Sequence, residues 1–145
     1  MRCVRSILAA LLCAGALAGC ADLPARMRRH TYPPDFKYIG REELRSAMWR
    51  LAAAVNELDE LMRESGPVDE ARRARIDVLL GAMDDATREL ATHGRPTNHP
   101  LIADNLDDFR QAVATARTSV ESSHPNYYLV GSVSGACLAC HAPRR

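Results

Sequence analysis

Four amphipathic segments joined by short turns, with few β signals anywhere, predict an all-α protein built as an up-down-up-down four-helix bundle. At 145 residues the chain is sized for one domain around a single hydrophobic core. Hydrophobic residues make up 47% of it and charged residues 26%, with a formal net charge of +1. That balance excludes a disordered chain and supplies no basic field for nucleic acid.

Residues 1–19 read as a signal peptide rather than as part of the fold. Arg2 and Arg5 form a basic start, and Ser6 to Ala16 is a mostly apolar run too short to span a bilayer. The run ends Leu17-Ala18-Gly19-Cys20, small residues before a cysteine, which resembles a bacterial lipobox in which Cys20 takes the lipid. The lipid would hold the chain at a membrane while the rest stays in water. Removing the signal takes two arginines with it, so no attraction to nucleic acid develops in the mature chain. Asp22, and not Ala21, is the first acidic residue after Cys20, which by resemblance to lipoproteins of two-membrane bacteria favours a periplasm-facing place at the outer membrane.

Residues 20–40 hold Pro24, Pro33 and Pro34 with Arg26, Arg28 and Arg29 and show no helical period, the pattern of a lipidated tether. The helical domain is then 41–145. From Arg41 to Ser65 the apolar positions Leu44, Met48, Leu51, Val55, Leu58 and Met62 step by fours and threes, one buried stripe of a helix. Gly66-Pro67 stops it. Asp69 and Glu70 put negative charge at the start of a second helix with the stripe Ile76, Leu79, Leu80, Met83, Ala86 and Leu90. A loop with two prolines runs from Gly94 to Pro100, followed by a third helix through Ile102, Leu106, Phe109, Val113, Ala116 and Val120. After the turn Ser122 to Pro125, a fourth helix from about Asn126 carries Leu129, Val130, Val133 and Ala136.

The cysteines divide by address. Cys3 and Cys13 leave with the signal peptide, Cys20 is lipidated, and Cys137 and Cys140 stay in the fold, with His141 directly after them. Cys-Leu-Ala-Cys-His is the attachment pattern of c-type haem: two thiols add across the two porphyrin vinyl groups and the adjacent imidazole reaches iron. Positions i, i+3 and i+4 share one helix face, so all three can address one flat ligand. A structural zinc site wants a second cysteine pair, and a thioredoxin-like motif wants a βαβ context. Neither is present, so the pattern predicts one covalently bound haem c held by the last helix. Gly131 and Gly135 each cost about 0.5–1 kcal/mol inside a helix, and close approach of the porphyrin is the expected compensation.

A four-helix bundle with this motif on its last helix, almost at the C-terminus, resembles the cytochrome c′ family. Leu44-Arg45-Ser46-Ala47-Met48-Trp49-Arg50-Leu51 is similar to that family's distal segment, which implies that Met48 faces the sixth coordination position of the iron. The family commonly follows the haem histidine with an aromatic and a basic residue, whereas here Ala142-Pro143-Arg144-Arg145 follows: Arg144 or Arg145 stands for the basic contact and no aromatic is present. The resemblance also implies a homodimer through the first two helices.

Two functions follow from the two readings of Met48. With its thioether on iron the haem is six-coordinate and suits electron transfer in the cell envelope, with a redox partner protein that the sequence does not name. With Met48 as a packed core residue the iron is five-coordinate, and the resemblance implies binding or scavenging of nitric oxide or carbon monoxide. Either is a carrier or a binder and not a catalyst, since no Ser-His-Asp set, paired carboxylates or phosphate loop can be assembled. His30, His93, His99 and His124 are the other conceivable sixth ligands. Each reads as a surface or capping residue, with His93 near the end of the second helix, where a cation is favourable.

Overall fold

The structure, a computed structural model, describes Met27 and residues 31–141. It divides into two compact units, 1–36 and 37–145. The described part of the first unit is one turn, in which the Thr31 hydroxyl donates to the Met27 carbonyl at 2.9 Å, followed by Tyr32 and Phe36 with rings stacked 4.5 Å apart. Cys20 and residues 1–19 lie outside the described residues, as does the 142–145 tail.

The second unit is all-α, and among the described residues no strand is present beyond an isolated bridge between Lys37 and Thr97. Helix α1 spans Arg41–Arg63. It starts where Glu43 reaches back to accept the Gly40 N–H at 3.2 Å, and it ends before Gly66, whose φ of +99° only glycine adopts readily. Its buried face is Ala47, Leu51, Ala54 and Leu58, the inner line of the predicted stripe.

Helix α2 spans Glu70–Arg88, capped by the Asp69 carboxylate accepting the Arg72 N–H at 2.8 Å. The predicted stripe continues to Leu90, which is fully buried, yet the helix stops at Arg88. Leu90 N–H bonds to the Thr87 carbonyl, three residues back, so the last turn tightens and leaves the α path while its side chain stays in the core. Buried Thr87 satisfies its own hydroxyl on the Met83 and Asp84 carbonyls.

Helix α3 spans Pro100–Glu121, with Pro100 in the first turn, where a missing N–H costs nothing. Helix α4 spans Tyr127–Ala136; the Asn126 side chain caps it by accepting the Tyr128 N–H at 3.1 Å, which leaves Pro125 just outside. A short helix α5, Leu138–His141, follows at once.

Each of α1 to α4 packs on the next in chain order, α1 also meets α4, and α5 touches α3. The main core joins Leu51, Leu58, Leu80, Met83, Phe109, Val113, Val130 and Val133. A second cluster, Ile39, Ala47, Leu90, Ile102 and Leu106, is walled by Leu44 and Met48. Met48 packs against both clusters.

One polar device ties the start of α1 to the loop before α3. The Asn98 amide oxygen accepts the Ile39 N–H at 2.9 Å and its nitrogen donates to the Ile39 carbonyl at 3.0 Å, while Lys37 N–H donates to Pro96 at 2.8 Å. A side chain thus pairs with a backbone as a neighbouring strand would. Ion pairs Arg50–Glu89 and Arg75–Glu57 join α1 to α2, and Arg117–Asp77 and Arg110–Asp84 join α2 to α3. Being largely exposed, they add at most about 1 kcal/mol each. Among the described residues no helix is long and apolar enough to cross a membrane.

Asn98→Ala leaves both Ile39 backbone groups unpaired, and the expected loss is about 1–3 kcal/mol in urea unfolding; an unchanged midpoint would show that water replaces the clamp. Asp84 behaves differently with pH. The hydrogen bond from Arg88, aided by Arg110, holds its carboxyl below the ordinary range. Its contribution is therefore present above the unfolded carboxyl's pKa and lost as pH falls through the lowered folded value. Asp84→Asn is expected to cost about 0.5–1 kcal/mol near neutrality, a gap that closes in acid.

Candidate functional site

The predicted attachment residues sit where α4 gives way to α5. Cys137 keeps helical angles (φ −61°, ψ −26°), but its N–H is shared between the Ser134 and Gly135 carbonyls, so the helix tightens there. The α path resumes as His141 N–H bonds to the Cys137 carbonyl at 3.1 Å. Because the chain stays helical through Cys137, the three predicted residues remain near one face. The Cys140 thiol points at α3, its Sγ 3.6 Å from the Leu101 carbonyl. No disulfide joins the two half-buried cysteines.

Two cavities meet at this corner. The first, about 590 Å³, runs between α1 and α4 and is lined by Met48, Trp49, Leu51, Ala52, Val55, Ser134, Cys137 and His141, with Arg45, Asn56 and Asp59 as its further polar rim. The second, about 260 Å³, lies against the start of α3, lined by Leu44, Met48, His99, Pro100, Leu101, Ile102, Cys140 and His141. Cys137 therefore faces one cavity and Cys140 the other, while Met48 and His141 border both. The first falls within the 300–1,000 Å³ usual for ligand pockets and, like them, is mainly apolar with a few polar groups. Residues Arg45 to Asp59 carry it roughly 21 Å along α1 at 1.5 Å per residue.

Electrostatics disfavour thiolates here. Burial pushes the Cys137 thiol above its ordinary range, and the neighbouring Cys140 and the Asp59 carboxylate act in the same direction; burial alone raises Cys140. Reactive and redox cysteines are the opposite case, with pKa values lowered by positive surroundings. Among the described residues no group of three or more His, Cys, Asp or Glu side chains is placed to hold a metal ion.

The structure brings together Cys137, Cys140, His141 and Met48 and adds two residues that the sequence did not single out for this place. Asp59 acts on Cys137 from three turns along α1, and His99 reaches the second cavity from the loop before α3. Neither has a local signal: an acidic residue on an exposed helix face and a histidine beside a proline are ordinary surface patterns. His93 is not at a helix end; it lies in the loop beyond α2 at φ 52°, because α2 stops at Arg88. His124 is exposed beside Ser123, and His30 lies outside the described residues. Trp49, 69% exposed, is a rim residue, as is Tyr128 at 80%.

The two glycines of α4 differ from expectation. A Cβ at Gly131 or Gly135 would meet nothing within 4 Å, and neither lines a cavity. Four residues apart, they share the outer face of α4, away from Val130 and Val133, so cofactor approach does not explain them. No family model, curated protein or solved structure matches the chain.

Gly131→Ala and Gly135→Ala are each expected to stabilise the domain by about 0.5–1 kcal/mol, since a methyl group meets open space in a helix. Thermal unfolding of the two variants measures this, and a destabilisation would put a neighbour on that face after all.

Proposed function

We propose that this chain is a monohaem c-type cytochrome, lipid-anchored through Cys20 in the bacterial envelope, that transfers electrons, and that its four long helices run as an up-down-up-down bundle. The observation that carries the reading is the double cavity: one cysteine of the motif faces each half, and the motif histidine and Met48 stand between the halves. A flat group bonded to both cysteines has to span both cavities and so pass between Met48 and His141, the two side chains whose atoms can bind iron. The apolar lining and the protonated thiols suit such a group. Vinyl addition consumes the thiols without any oxidation: each sulfur forms a C–S bond and its hydrogen goes to the other vinyl carbon.

In this reading Cys137 and Cys140 fix the porphyrin, and a ring nitrogen of His141 binds one face of the iron. The Met48 sulfur binds the other, raising the potential relative to a second nitrogen ligand. Haem supplies one-electron exchange at its iron. Leu51, Val55, Leu44 and Ile102 exclude water from it, which favours the state of lower charge, and Trp49 sits at the exposed rim.

One observation favours a second reading, a five-coordinate haem that binds nitric oxide or carbon monoxide. Met48 already packs against both core clusters, and a side chain so engaged has to leave those contacts to reach a metal.

The optical spectrum of the chain, produced in cells that mature c-type haem, separates the two. Electron transfer predicts a low-spin ferric spectrum with a weak far-red thioether band, lost in Met48→Ala, and no response to carbon monoxide in the native chain. Gas binding predicts a high-spin spectrum that carbon monoxide shifts. His141→Ala should alter iron coordination, and Cys137→Ala or Cys140→Ala should impair covalent attachment; native haem staining and spectra in all three would refute the site.

A further inference from the structure

We propose that His99 is a positioning residue for His141: its imidazole accepts a hydrogen bond from the His141 ring nitrogen that does not face the iron, and thereby sets how strongly His141 donates. The inference rests on the haem reading above and extends it to a residue outside the attachment motif.

His99 and His141 line the same 260 Å³ cavity, and among the described residues neither ring has a hydrogen-bond partner. The backbone around His99 is held from every side. Asn98 is fixed by its two bonds to Ile39, Pro100 locks the next residue, and the His99 carbonyl accepts the Ile102 and Ala103 N–H groups at 3.0 and 3.2 Å. His99 stands at the N-cap of α3, yet its side chain makes no capping bond. A cap position normally favours Ser, Thr, Asp or Asn, so an imidazole there has given up that contact. A rigid backbone carrying an uncommitted ring into a cavity is how a scaffold positions a functional group.

A histidine on a metal nearly always donates its other N–H to a fixed acceptor. The first cavity offers poorer ones. Arg45 has only donors, the Ser134 hydroxyl is given to the Gly131 carbonyl at 3.2 Å, and Asp59 lies eleven residues, roughly 16 Å, along α1 from Met48. His99 shares its cavity with His141 and Cys140 together. Accepting that proton gives His141 more anionic character, which favours ferric iron and lowers the potential.

The test is a redox titration of the haem-loaded full chain and of His99→Ala and His99→Gln. In His99→Ala the expected result is retained covalent haem and unchanged coordination, with the equilibrium moved toward ferrous iron on the order of tenfold, about 59 mV for a one-electron couple. His99→Gln keeps an acceptor oxygen and should return close to the native value. An unchanged potential in His99→Ala would reduce His99 to a helix cap. A changed spin state there would make it an iron ligand itself. Both results overturn the proposal while leaving the haem reading intact; a native chain without covalent haem overturns both.

Discussion

Helices α1 and α4 close the second unit without filling the space between them. They touch less extensively than the other neighbouring helices, and the remainder is a groove of about 590 Å³. The cause is in the side chains that face it: Ala52 and Val55 on α1 and Ser134 on α4 are short, so the backbones stand apart with nothing long enough to bridge them. An apolar surface left with no partner forfeits dispersion contacts and stays wet. A ligand that enters it stabilises the folded state by its own binding free energy. Fold and site are thus one problem, because the seam that the helices leave open is the place where the motif points.

Met48 sits at the centre of that problem. It borders both cavities and packs on both core clusters, so it holds the end of the unit together and also presents the softest donor beside His141. Methionine suits such a double position because it is unbranched and can shift its sulfur without displacing its backbone. Whether its atoms serve the core or a metal depends on what the competing contacts contribute. Each atom pair is worth only about 0.1–0.2 kcal/mol, so a single coordinate bond outweighs several of them if the sulfur can reach.

The helices were legible because their apolar residues recur by threes and fours and their ends carry Gly66, Asp69, Pro100 and Asn126, each a local signal with a local cause. The attachment motif was legible for the same reason, five consecutive residues with one chemistry. What could not be read is what depends on distant segments meeting. His99 enters the pocket only because α2 and α3 fold back and Asn98 locks the loop to Ile39, 59 residues away in sequence. Asp59 acts on Cys137 only because α1 and α4 are neighbours. Leu90 shows the limit of periodicity: its burial was legible, but the tightened turn that ends α2 before it was not.

The thiols give a last physical discrimination. A cysteine pair two residues apart serves either thiol–disulfide chemistry or attachment, and the two demand opposite surroundings. Exchange needs a thiolate, hence a nearby positive charge or an open helix N-terminus to lower the pKa. Here the pair lies at the C-terminal end of α4, where the helix dipole is negative, and burial and Asp59 push the same way. Every term opposes the thiolate. A pair so placed is poorly made for attacking a disulfide. Electrophilic addition to a vinyl group, by contrast, starts from a protonated carbon and ends in a neutral thioether, a product that an apolar, electronegative corner tolerates without penalty.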